Sequence, residues 1–104
     1  MAKYVLVTKG GSMPETEEAA GKMMAEWGEW MQGLGNALTD QGNPLGASTT
    51  INRDGSTEDG GGADPVTGYM ILEADSLDAA VALAKGCPHL NYDGTIVVSE
   101  AVAM

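Results

Sequence analysis

Residues 3–8 alternate Tyr4 and Leu6 with Val5 and Val7, so both faces of an extended segment are apolar. That pattern predicts a strand covered on both sides. Gly10-Gly11 ends it. Ser12-Met13-Pro14-Glu15 then carries the marks of a helix start: a capping hydroxyl, a proline suited to the first turn and a glutamate three residues on. From there Ala20, Met23/Met24, Trp27, Trp30/Met31 and Leu34 recur at spacings of three and four, the apolar stripe of a helix reaching about Leu34, where Gly33 and Gly35 stop it.

The middle of the chain is less patterned. Asn36–Thr39 begins a second strand, Gly42-Asn43-Pro44 interrupts it, and Ala47–Ile51 is β-prone. Asn52–Pro65 is polar and glycine-rich and predicts a mobile loop at a hairpin tip. In Val66–Ala74, Gly68, Met70, Leu72 and Ala74 face one way and Tyr69, Ile71 and Glu73 the other. Asp75-Ser76 caps a second helix that buries Leu77, Ala80, Val81 and Ala84. Gly86 and Pro88 terminate it, and Asp93-Gly94 turns the chain into a last strand, Thr95–Val102.

The order β-α-β-β-α-β predicts an α+β, ferredoxin-like single domain over residues 1–104, with a four-stranded antiparallel sheet and both helices on one face. The other face is also apolar: Val5 and Val7, Ile71 and Val97 lie opposite the helix-facing positions. No third helix is available to cover it. A second copy of the chain is the simplest cover, so a homodimer is expected.

Charge narrows the function. Five basic residues against fifteen acidic ones give a net charge of −10. A surface of that sign repels phosphate backbones and anionic bilayers, so neither nucleic acid nor a membrane is an expected partner. No apolar run approaches the roughly 18 residues of a membrane span. The first residues read as a strand rather than a leader, and the single cysteine permits no internal disulfide. Both features fit a cytoplasmic setting.

Candidate chemistry concentrates in Cys87-Pro88-His89. A thiol beside an imidazole forms a nucleophile–base pair when the imidazolium stabilises the thiolate, and His89 is the chain's only histidine. The same residues also read as an ordinary helix-ending turn. Cys87, His89 and Asp93 lack the fourth ligand of a structural zinc site, so no metal is expected, and no cofactor motif is present. Trp27, Trp30, Tyr69 and Tyr4 are candidates to line an aromatic ligand pocket, or equally core residues of a helix packed on a sheet. The acidic glycine loop lacks the ligand order of a calcium loop and the Gly-Lys-Ser/Thr of a phosphate loop.

Five segments together resemble the YCII-related domain family and its DGPF-like branch. They are Lys3–Val7, the Pro14-Glu15 start of an aromatic-bearing helix, Gly68–Ala74, Asp75–Ala80 and Ala84–Leu90. The resemblance implies a dimeric α/β barrel, formed by two sheets packed face to face, with a cleft between sheet and helices. It implies association of some members with extracytoplasmic-function sigma factors, and a histidine–aspartate pair in others. This chain departs from that pattern. Asp59-Gly60 continues as Gly61-Gly62, the helix-one histidine position falls near Met24, and the aspartate position before the turn proline holds Cys87. Three classes stay open: an enzyme or ligand-binding protein with a cleft between helix one and the sheet, a regulatory or accessory module acting with a sigma factor, and a non-catalytic dimer.

Overall fold

The computed structural model describes residues 2–102. Strand β1 (Ala2–Gly10) leads to helix α1 (Glu17–Leu34), a short 3₁₀ turn (Gly35–Ala37) and strand β2 (Leu38–Asp40). Strands β3 (Thr49–Ile51) and β4 (Thr57–Asp59) follow, then β5 (Val66–Ala74), helix α2 (Leu77–Ala84), a 3₁₀ turn (Pro88–Asn91) and β6 (Gly94–Glu100). The main sheet is four-stranded and antiparallel, in the order β2-β5-β1-β6. Its two central strands, β5 and β1, carry apolar residues on both faces.

Register explains the division of faces. Leu6 stands opposite Met70 and Val98, and Tyr4 opposite Leu72. With Ala74 and Ala84 they form the core against the helices, where Leu6 and Leu72 are all but inaccessible to solvent. Burying one such leucine contributes about 2–3 kcal/mol. On the opposite face Val5 pairs with Ile71 and Val7 with Val97. These residues are only half-buried or exposed, and Val97 is 43% exposed. Within one chain the sheet is open, not a closed barrel.

Several boundaries differ from the sequence expectation. Helix α1 starts later: Thr16 is its N-cap, and its hydroxyl accepts from the Ala19 amide at 3.0 Å. Ser12 is diverted to a tertiary contact, its amide and hydroxyl both donating to the Tyr92 carbonyl, at 2.6 and 3.1 Å. The β-prone stretch at 47–51 does not enter the main sheet. It pairs with Thr57–Asp59 as a separate two-stranded hairpin, so the polar glycine segment holds a strand of its own. Asp54 builds the tip by accepting from the Ser56 amide at 2.9 Å and its hydroxyl at 2.6 Å. Strand β6 ends at Glu100 rather than Val102, and Glu100 makes its last pairing with β1, opposite Tyr4.

The hairpin stands off the body. Ile51 on β3 is 74% exposed, and the radius of gyration is 15.0 Å, against about 13 Å for a compact domain of this length. No helix among the described residues is long and apolar enough to cross a membrane.

Candidate functional site

The turn after α2 positions the single histidine. Gly86 and Cys87 close the helix by donating to the carbonyls of Leu83 and Ala84. Pro88 then opens a 3₁₀ turn that the Tyr92 amide completes on the His89 carbonyl at 3.1 Å. His89 is only 7% exposed. Its Nε2 lies 2.9 Å from the backbone carbonyl oxygen of Lys9 at the end of β1. A carbonyl only accepts, so Nε2 carries the proton and Nδ1 keeps a lone pair whenever the ring is neutral. The ring lies in a slot between two glycines. A methyl group on Gly11 would come within 2.7 Å of Cε1, and one on Gly94 would overlap Nε2 and Cδ2.

In front of this slot lies a cavity of about 580 Å³. Helix α1 supplies Met23, Trp27 and Met31 to its wall. The helix-facing side of the sheet supplies Thr8, Gly68 and Met70, and the β1–α1 connection supplies Met13. The segment after β2 closes the far side with Asn43, Pro44 and Leu45. A bulge shapes the floor: Thr8 faces Gly68 but Lys9 faces Val66, so Thr67 is the extra residue. Its hydroxyl lies within 3.2 Å of the Gly10 carbonyl and 3.3 Å of both the carbonyl and hydroxyl oxygens of Thr8. Gly68 has to be glycine here, since a methyl would lie 2.9 Å from the Thr8 hydroxyl.

The structure brings together three of the six residues singled out in the sequence. His89, Trp27 and Tyr69 line the cavity, although Tyr69, opposite Val7, belongs to the sheet face away from the helices; its hydroxyl accepts from Asn43 Nδ2 at 3.2 Å. The others serve elsewhere. Trp30 stacks edge-on against Trp27 at 5.8 Å and donates its indole N–H to the Leu83 carbonyl at 3.1 Å, which ties α1 to the end of α2. Tyr4 is buried against Ala74 and Ala80 under α2, and that burial, helped by the Glu100 charge, raises its pKa.

Cys87 is 2% exposed and outside the cavity wall. Burial pushes its thiol up to about 11, partly opposed by a hydrogen bond from the His89 backbone. The imidazole is held by Lys9, so the thiol and the ring do not form a nucleophile–base pair. Cys87 is therefore expected to react with 5,5′-dithiobis(2-nitrobenzoate) at about pH 8 at least ~100-fold more slowly in the native than in the unfolded chain. The raised value also carries a sign. The native thiol keeps its proton where the unfolded one, at the ordinary 9.0, has lost it. Its contribution to stability is whole below pH 9 and falls by about 2 kcal/mol as pH rises towards 11. Urea titrations of wild type and Cys87→Ala at both ends of that window measure it, and parallel pH profiles would refute it.

Sequence reasoning passed over the methionines as a group. Of the described methionines, Met13, Met23, Met31 and Met70 line the cavity and only Met24 does not. The signal was in the composition: seven methionines and no phenylalanine. A second tether was also missed, from the Tyr92 hydroxyl to Glu26 Oε1 at 3.0 Å, which holds the histidine turn against α1. Burial and the Glu26 carboxylate raise the Tyr92 pKa. Among the described residues no three His, Cys, Asp or Glu side chains converge as metal ligands would.

Comparison with known proteins agrees with the sequence resemblance. The profile of the YCII-related domain matches residues 2–102. No curated protein matches the chain.

Proposed function

The chain belongs to the YCII-related domain family, and from that membership and its cavity we infer that it is a small-molecule-binding protein whose ligand lies between α1 and the sheet. One observation carries this reading. Trp27 and His89, distant in sequence, meet around a space of about 580 Å³, within the range of organic ligand sites. The wall is largely apolar with a few polar groups, the usual division between affinity and orientation.

The neutral dye N-phenyl-1-naphthylamine tests the site. It should bind with one-to-one saturation and be excited by energy transfer from Trp27 and Trp30. Met23→Trp, which fills the wall from a half-buried helix position, should weaken binding about tenfold or more. Dye binding indifferent to Met23→Trp, or no binding, would defeat the reading.

The same reading includes a homodimer, joined through the sheet face bearing Val5, Val7, Ile71 and Val97 in the face-to-face arrangement the family implies. Light scattering at micromolar concentration should give twice the chain mass of 10.7 kDa. Val97→Asp should shift it to monomer, because a charge on a buried interface costs several kcal/mol. A wild-type monomer would remove the dimer from the reading.

A further inference from the structure

We propose that the cavity ligand is a flat aromatic molecule carrying a hydroxyl group, which donates its hydrogen bond to Nδ1 of His89. The inference rests on the ligand-binding reading above and names the class of ligand.

Three observations lead there. The first is the imidazole. Lys9 O occupies Nε2 at 2.9 Å, and the ring fills the space where a side chain on Gly11 or Gly94 would lie. No protein group bonds Nδ1 among the described residues, yet no fully buried side-chain nitrogen or oxygen there lacks a partner. Nδ1 is therefore accessible, on a residue that lines the cavity. A neutral imidazole held in this tautomer offers an acceptor and asks for a donor.

The second is the wall. Met13, Met23, Met31 and Met70 line the cavity together with Trp27. Thioethers are polarisable and adaptable and make favourable contacts with aromatic rings, and the indole adds a flat surface. A ring system suits this lining better than a flexible polar chain.

The third is charge. Among the described residues no Lys, Arg, Asp or Glu side chain lines the cavity, and the chain carries a net charge of −10. A carboxylate or phosphate would enter against that field without a Lys or Arg side chain to meet it. A neutral hydroxyl has neither cost.

Three probes of equal ring size separate these ideas: 6-fluoro-2-naphthol, 2-fluoronaphthalene and 6-fluoro-2-naphthoate, titrated by fluorine NMR. The naphthol should bind about tenfold more tightly than either of the others. His89→Gln keeps an N–H toward Lys9 O, where Nε2 donates, and takes the acceptor away from the Nδ1 position, leaving only its own carbonyl oxygen beside the amide. It should bring the naphthol to within about threefold of fluoronaphthalene and leave fluoronaphthalene unchanged. Met23→Trp should weaken all three.

Equal binding of all three probes, each weakened by Met23→Trp, would overturn the hydroxyl proposal and leave the cavity reading standing. So would a preference for the naphthoate. Probes that bind without sensing Met23→Trp, or do not bind, would overturn both. If His89→Gln fails to fold, long-range ¹H–¹⁵N correlation of the wild-type imidazole decides. Near pH 8 it should show protonated Nε2 and bare Nδ1, with the Nδ1 resonance moving upfield on adding the naphthol but not fluoronaphthalene. A proton on Nδ1, or an unmoved resonance, would refute the proposal.

Discussion

Gly42→Ala is expected to lower stability by about 3–5 kcal/mol, a large share of what a domain of this size possesses. Gly42 has φ +65° and its amide donates to Asp40 Oδ1 at 2.8 Å. A methyl group there would fall on the carbonyl oxygen of Tyr69 in β5. Two costs add: the left-handed backbone, about 1–2 kcal/mol for a residue with Cβ, and a backbone clash that no rotamer relieves. The neighbouring chain cannot yield freely, because Leu45 N donates to Thr67 O at 3.0 Å and Pro44 bridges to Gly68. Thermal unfolding should show a midpoint lowered by roughly 12–25 °C. Gly46→Ala, where a methyl meets nothing and φ is not positive, should stay within about 0.5 kcal/mol of wild type. A loss under 1 kcal/mol at Gly42 would mean that the segment packs on β5 far more loosely than the structure shows.

Gly94→Ala should cost about 2–4 kcal/mol for a different reason. Its backbone is acceptable to alanine, but the side of the residue that a methyl would occupy is filled by the His89 ring. The ring would have to leave its slot, breaking the contact to Lys9 O and ending naphthol discrimination. The origin of the cost is visible in a double-mutant cycle. With His89→Ala already in place the added methyl has space, so Gly94→Ala should then cost at least ~1 kcal/mol less. Strict additivity by urea titration would show that the glycine is needed for the Asp93-Gly94 turn and not for the imidazole.

The elements that could be read from sequence are those whose side chains repeat with a period. Tyr4-Val5-Leu6-Val7 and Gly68–Ala74 display both faces of the central strands, and the stripe from Ala20 to Leu34 displays one side of α1. Where a partner distant in sequence decides, the sequence was silent. Ser12 looked like a cap until the Tyr92 carbonyl claimed it, while Thr16, four residues on, took the role. Strand β4 is Thr57-Glu58-Asp59, with no apolar residue to mark it. The site divided in the same way. His89 was conspicuous because it is alone, and Trp27 and Tyr69 because they are aromatic. What separates Trp27 from Trp30 is three residues of helix, about 300° of rotation. That difference sends one ring to the cavity and the other to Leu83, and no pattern in the chain distinguishes them.

The β3–β4 hairpin makes the chain longer than its cavity and core require. Its two ends are already joined: the Gly60 amide donates to the Ser48 carbonyl at 2.8 Å, and the Thr50 hydroxyl donates to the Gly60 carbonyl at 2.7 Å. None of its strand residues lines the cavity or belongs to the core. In engineering terms the hairpin is a cassette with a closed hinge. It can be cut back to a short turn between Ser48 and Gly60, or replaced by a peptide of choice, with little change in the entropy of closing the loop. Residues on either side, Leu45 and Pro65, are anchored to β5 and β1, so the exchange is confined to the protruding part. The same scaffold can thus carry variable surfaces at one edge while its cavity stays constant.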